Sequence, residues 1–268
     1  MRNLFLSALF LFSGLQVKAE HDTTILVGVV PVDFRFPGNP VAGAILVLPG
    51  WNFGRSDVCN KSAFCEEAAK RGYILVLPEM LKSVYSSELF PETRNDWRRY
   101  PTLKWITDTL IPFCRKQFSV FNSGGKNFLY GISTGARGVA LVAENTGSLF
   151  LAGAALSGDY DQTLMPADRL MTGYYGSYEQ FKSRWEGTDN PALHSDRLKT
   201  ALYLAHGKRD AVVPCQQSIG FSEKIRRENP ALGHQLALCD TCGHNYTFWN
   251  SQNKAVFEFY FTAKALRR

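Results

Sequence analysis

Ser133 is the side chain whose setting most plainly suggests chemistry. It lies in Gly131-Ile132-Ser133-Thr134-Gly135, after an apolar run through Phe128, Leu129 and Tyr130 and before a helical stretch from Ala136 to Glu144. A serine between a strand and a helix sits on a sharp turn with its hydroxyl exposed, a nucleophile elbow. Gly131 and Gly135 suit that turn because Cβ atoms there would meet neighbouring backbone, and Gly138 is read as letting the helix pack closely on the sheet.

A serine hydroxyl is a poor nucleophile at neutral pH, so it needs a base to take its proton and a carboxylate to set the tautomer of that base. The chain has five histidines. His21 is near the start, His194 is in an irregular segment and His234 opens a strand, while His206 begins the turn His206-Gly207-Lys208-Arg209-Asp210. His244 follows the last strand in a glycine-containing loop, the placement expected of a catalytic base. Asp210, shortly beyond the strand Ala201 to Ala205, is the preferred acid; Asp159, Asp161 and Asp240 are its rivals. The chain order is then serine, aspartate, histidine. An oxyanion formed on attack needs two aimed N–H groups. Thr134 supplies one by following the serine at a helix start, and Trp51, in the turn Pro49-Gly50-Trp51-Asn52, is placed to supply the other.

The elements that must hold these residues alternate. Thr23 to Phe36 reads as one or two antiparallel edge strands, and Ala44 to Leu48 and Tyr73 to Leu77 as strands buried on both faces. Helices are expected over Ser62 to Arg71 and Thr102 to Lys116, with a polar, aromatic-bearing loop from Glu79 to Arg99 between them. After the elbow come a strand from Leu149 to Leu156, an irregular segment from Ser157 to Thr200, the strand Ala201 to Ala205, a helix near Gln216 to Glu228, a strand from His234 to Leu238 and a last helix near Asn250 to Ala265. This pattern predicts an α/β fold: a mostly parallel sheet with helices on both faces and sites at the carboxyl ends of its strands.

Together, Gly131-Ile132-Ser133-Thr134-Gly135, His206-Gly207-Lys208-Arg209-Asp210-Ala211-Val212-Val213-Pro214 and Cys242-Gly243-His244 give the chain a resemblance to the α/β-hydrolase superfamily over its mature length. Tyr174-Tyr175-Gly176, Trp185 and Asp189-Asn190-Pro191 resemble the branch that includes esterase D and feruloyl-esterase-like proteins. Two features depart from the family pattern, Thr134 after the serine and Pro-Gly-Trp where His-Gly-Gly is common. The resemblance implies a serine hydrolase acting on a carboxylic ester through an acyl-enzyme, with no cofactor and no metal. Two other readings are a peptidase of the prolyl-oligopeptidase type, with the same triad but no propeller ahead of the hydrolase, and a non-catalytic binding module of the same fold.

The 268 residues suit one hydrolase domain over 20–268. Residues 1–19 have a positive start, an apolar core from Leu4 to Leu15 too short to span a bilayer, and Val17-Lys18-Ala19 as a cleavage site, which reads as a secretory signal peptide. Loss of Arg2 and Lys18 lowers the formal charge from +6 to +4. Because the basic residues are scattered among acids, no nucleic-acid groove is expected and a small-molecule ester is the expected partner. The mature protein is then secreted or periplasmic, without stable membrane insertion. Six cysteines in an oxidising compartment favour disulfides. Cys239 and Cys242 form a C-x-x-C without a second ligand pair, a clamp rather than a zinc site, and a bond from Cys215 to Cys239 or Cys242 is expected to brace the His244 loop. Asn60 and Asn245 are formal sequons, with Asn245 expected to stay unmodified. Trp51, Phe53, Tyr85, Phe90, Trp97, Tyr160, Tyr174 and Tyr175 are candidates to line an acyl or aryl pocket, and Arg55 and Arg137 to attract a substrate carboxylate.

Overall fold

The computed structural model describes residues 22–38, 40–99 and 102–265, so the expected signal peptide lies outside the described residues. Its strands are β1 (Thr23–Val27), β2 (Val30–Arg35), β3 (Gly43–Leu48), β4 (Tyr73–Pro78), β5 (Asn127–Ile132), β6 (Ala152–Leu156), β7 (Ala201–Gly207) and β8 (His234–Cys239). They form one eight-stranded sheet in the order β1-β2-β4-β3-β5-β6-β7-β8. Only the β1–β2 and β2–β4 pairs are antiparallel; every pair from β4–β3 to β7–β8 is parallel.

The continuous apolar runs are explained by burial on both faces. Along β3, Ala44, Leu46 and Leu48 enter one core, with Leu129, Leu202, Leu204 and the helices Thr134–Asn145 and Gln216–Glu228. Ile45 and Val47 enter the opposite core, with Tyr130, Ile132, Tyr203 and the helices Phe64–Lys70 and Asn253–Ala265. The chain leaves β3 and returns on its other side at β5, so the carboxyl ends of these neighbouring strands open a crevice where the chain reverses direction across the sheet.

Where elements differ from the sequence reading, local chemistry gives the reason. The helix expected over Thr102 to Lys116 contains a π turn at Ile106–Leu110 just before Pro112. Proline lacks an N–H and its ring collides with the carbonyl four residues back, a conflict that widening the preceding turn relieves. The last helix is two, Tyr246–Ser251 and Asn253–Ala265, divided at Gln252. His206 does not begin a turn: β7 runs on to Gly207, because His206 pairs with Leu238 and Gly207 with Cys239.

The two segments read as irregular, 79–99 and 157–200, pack on each other above the carboxyl ends of the strands. Val84, Trp97, Met171, Tyr174, Tyr175 and Trp185 make a third apolar cluster there, joined by Trp51, Leu89 and Phe90. Arg94 donates its N–H to Gly173 O at 3.0 Å, Thr93 Oγ1 donates to Tyr174 O at 2.7 Å, and Ser87 N–H donates to Asp189 Oδ2 at 2.9 Å. The cap therefore has its own core, which aromatic residues without helical or strand spacing supply.

The expected bond from Cys215 to Cys239 or Cys242 is corrected. Cys239 pairs with Cys242, whose Cα atoms are 5.4 Å apart, and Cys59 pairs with Cys65. Cys215 and Cys114 are buried free thiols. The tight turn after β8 already brings its two cysteines together, while Cys215 lies against the start of the helix Gln216–Glu228. Among the described residues no helix is long and apolar enough to cross a membrane.

Candidate active site

Ser133 sits between the last residue of β5 and the first residue of the helix Thr134–Asn145, with φ of 56° and ψ of −128°. A non-glycine residue rarely adopts that conformation, and its surroundings hold it there. A Cβ on Gly131 would come within 2.2 Å of Gly135 O, and one on Gly135 within 2.0 Å of Leu48 O. Both glycines are thus required by backbone approach, and the second seats the elbow against the end of β3. Gly138 has a different role from the one read in the sequence. A Cβ there would meet the ring of Tyr85 at 2.7 Å, so it admits a side chain of the cap rather than fitting the helix to the sheet.

His244, in the loop after β8, brings Nε2 to 2.9 Å from Ser133 Oγ and Nδ1 to 2.6 Å from Asp210 Oδ2. Asp210 follows β7, and its side chain has no solvent exposure. Its Oδ1 accepts the N–H groups of Val212 and Val213, both at 2.8 Å. Its Oδ2 also lies 3.2 Å from His206 Nε2. Burial alone would raise the Asp210 carboxyl, but hydrogen bonds from His206, His244 and Val213 outweigh it and hold its pKa well below the ordinary carboxylate value. The acid therefore remains charged and acceptor-only, which places the hydrogen of neutral His244 on Nδ1 and leaves Nε2 free to receive the serine proton.

The sequence reading did not foresee the part played by His206. Buried completely, it lies 3.0 Å through Nε2 from Val213 O and 2.7 Å through Nδ1 from Ser218 Oγ. The carbonyl can only accept, so Nε2 carries hydrogen, which it shares with Asp210, and Nδ1 meets the serine hydroxyl. It fastens the acid turn to the helix Gln216–Glu228.

Asp159 and Asp161 follow β6, and neither has a hydrogen bond to His244 among the described residues. Asp161 accepts from Thr163 N–H at 3.1 Å and from Asn190 Nδ2 at 3.0 Å. Asp240 is exposed and pairs with Lys208 at 2.7 Å.

Trp51 and Thr134 face one cleft of about 300 Å³, together with Ser133 and His244. Their backbone N–H groups have no acceptor among the described residues. The turn carrying Trp51 is held from above. Tyr85 donates its hydroxyl to Pro49 O at 2.7 Å, and the Trp51 ring packs edge-on against Trp97 with centroids 4.5 Å apart.

Of the eight aromatic candidates, Trp51 and Phe53 line the cleft. Tyr85, Phe90 and Tyr175 pack in or under the cap, and Tyr160 stacks on Phe221 with centroids 4.5 Å apart. Trp97 and Tyr174 belong to the cap core and border a neighbouring hollow. The remaining cleft wall is Met165, Leu170, Met171, Val212 and Val213, with Asp159 and Asp168.

Neither arginine serves a substrate carboxylate in this arrangement. Arg55 pairs with Asp33 at 2.7 Å and Glu79 at 3.1 Å. Arg137, with no solvent exposure, donates to Val84 O, Asp159 Oδ2, Gln162 Oε1, Tyr175 Oη and Asp189 O. It lies one turn beyond Ser133 and ties both cap segments to the elbow helix. A guanidinium has the five donors in a planar fork that such a hub needs.

No protein-family model matches the chain, and no curated protein matches it in sequence. Solved structures match in three dimensions. An S-formylglutathione hydrolase from Agrobacterium tumefaciens aligns with a TM-score of 0.70 at 15% identity, over 90% of this chain and 97% of its own. A fluorophosphonate-binding serine hydrolase from Staphylococcus aureus gives 0.68 at 14% identity, covering 90% and 97%. A ferulic acid esterase gives 0.66 at 14% identity, covering 91% and 97%. At such identities the likeness is one of architecture, and the sheet order, the elbow and these neighbours together define an α/β-hydrolase fold.

Proposed function

We propose that this chain is an exported serine hydrolase that cleaves a carboxylic ester through an acyl-enzyme, with residues 20–268 forming the hydrolase domain. The observation that carries the proposal is the hydrogen-bonded chain Ser133–His244–Asp210, set beneath a cleft that Trp51 and Thr134 also line. In this reading Ser133 Oγ attacks the ester carbonyl as His244 Nε2 takes its proton, and the carbonyl oxygen becomes an oxyanion held by Trp51 and Thr134. Asp210 stabilises the imidazolium. Collapse of the adduct expels the alcohol, which leaves with the proton from His244. A water molecule, deprotonated by the same imidazole, then attacks the acyl-enzyme, and the acid and free Ser133 result.

A secreted or periplasmic location is supported by the leader-like residues 1–19 and by two disulfides among the described residues. The cleft volume of about 300 Å³ supports a small ester rather than a polypeptide. Labelling by a fluorophosphonate at Ser133, with turnover of p-nitrophenyl esters lost in Ser133→Ala, is the expected result. A Ser133→Ala enzyme with near-full esterase activity would overturn the assignment. Intact-mass analysis of the exported protein tests the leader, and a retained Met1 would refute its removal.

A further inference from the structure

Charge inside the cleft runs against charge on the chain. The sequence carries a formal +6, but no lysine or arginine lines the cleft. Its charged lining residues, His244 aside, are Asp159 and Asp168. Both are on the segment that follows β6.

Asp159 is 3% exposed and stands 3.3 Å from Arg137 Nη1, but that guanidinium has no solvent exposure and does not line the cleft. Asp168 accepts the N–H groups of Leu170 and Met171 through Oδ1 at 2.8 and 2.9 Å, a helix cap that sets its carboxylate at the cleft wall. The two acids sense one another: burial pushes the Asp159 carboxyl up to about 6, the Arg137 charge offsets this in part, and Asp168 adds to the rise. A second polar group of this cleft lacks a partner. Thr134 is 4% exposed, lines this cleft, and its hydroxyl has no hydrogen-bond partner. Such a hydroxyl can donate or accept.

We propose that the cleft selects esters carrying a positive charge, an ammonium or guanidinium group a few bonds from the scissile carbonyl, and rejects anionic ones, with Asp159 and Asp168 as the selecting residues. The proposal rests on the hydrolase reading above. The remaining wall is made of tryptophan, phenylalanine, methionine, leucine and valine, which suits the methyl or methylene groups around an ammonium centre. Unit charges several ångströms apart in a partly screened interior give a preference on the order of ten- to a hundredfold.

Two series of esters of matched shape test the idea on the mature protein at pH 7.5. On the acyl side these are p-nitrophenyl 4-trimethylammoniobutanoate, 5,5-dimethylhexanoate and 4-sulfobutanoate. On the alcohol side they are the acetates of choline, 3,3-dimethylbutanol and 2-sulfoethanol. The expected result is kcat/KM falling in the order cation, neutral, anion in at least one series, by tenfold or more at each step. Asp168→Asn keeps an oxygen to cap the helix and should lower the cation-to-neutral ratio about tenfold. Asp159→Asn should lower it too, but it disturbs the Arg137 pair, so Asp168→Asn is decisive. Turnover of the neutral esters without that order, or a ratio unchanged in Asp168→Asn, overturns the charge selection and leaves the hydrolase reading standing. No turnover of any ester and no fluorophosphonate labelling would instead remove the hydrolase reading, and the selection with it.

Discussion

Replacing Asp210 by asparagine changes one oxygen for an amide, and the structure shows why the site has no good way to accept it. The carboxylate receives two backbone N–H groups on Oδ1 and faces two imidazole nitrogens through Oδ2. An asparagine has one oxygen to offer. If it stays with Val212 and Val213, the NH₂ group points at His244 and donates to Nδ1. The hydrogen of His244 is then forced onto Nε2, which donates to Ser133 instead of accepting from it, and the base is lost. Should the amide turn over, its NH₂ meets two backbone donors and the acid turn loses both bonds. The first arrangement keeps the turn intact, so we expect a folded enzyme with kcat lowered by about 10⁴, on the order of 5 kcal/mol in the barrier. The assay is p-nitrophenyl acetate hydrolysis at pH 7.5, with thermal unfolding as the control for structure. Because hydrogen bonds depress the Asp210 pKa, its charge contributes stability above the unfolded carboxylate value of about 3.9, and that contribution is lost as pH falls through the folded value. Wild type and variant should therefore converge in stability as the solution is acidified below pH 4. A folded variant within tenfold of wild type would refute the tautomer argument, and an equal loss in Asp161→Asn would move the acid to the segment after β6.

Tyr85→Phe removes the hydroxyl that holds Pro49 O and leaves a buried carbonyl unpaired, so a loss of about 1–2 kcal/mol in urea unfolding is expected, with a several-fold fall in kcat as the Trp51 turn loosens; unchanged stability would show that the contact is idle. Reduction of the Cys239–Cys242 bond should lower kcat about tenfold with little change in fold, because the carbonyls of these two cysteines receive the Lys208 and Arg209 N–H groups at the base of the acid turn, at 2.8 and 2.9 Å. Equal activity in the Cys239→Ser/Cys242→Ser double variant would count against that coupling. Glu144 is nine-tenths buried with both carboxylate oxygens unpartnered, and burial pushes its pKa well above the ordinary value. A raised acid binds its proton more tightly in the folded state, so its stabilising share is full below about pH 4 and declines as pH rises toward the folded value. Urea midpoints of Glu144→Gln should accordingly fall less steeply than wild type between pH 5 and 8; parallel curves would refute the burial argument.

Local pattern sufficed for the parts of this protein that local physics controls. Apolar runs such as Ala44 to Leu48 can be stable only as strands covered on both sides, and their alternation with helices led to the parallel sheet. The elbow was legible because the close approach of Gly131 and Gly135 to backbone leaves glycine as the residue that fits. Ser133, Asp210 and His244 could be singled out from their places after β5, β7 and β8, since a parallel sheet gathers the carboxyl ends of its strands at one edge. The tertiary structure alone decided what long-range packing decides. Arg137 looked like a surface charge available to substrate, and only the folding of two distant segments over it turned it into the buried hub of the cap. Most of the aromatic candidates went to the cap core, which has no periodicity to read in advance. Cysteine pairing followed the turn geometry after β8 rather than the expected nearness of two loops. Asp159 and Asp168 came to line the cleft because the chain after β6 folds back over the strand ends, a path set by contacts between residues far apart in sequence.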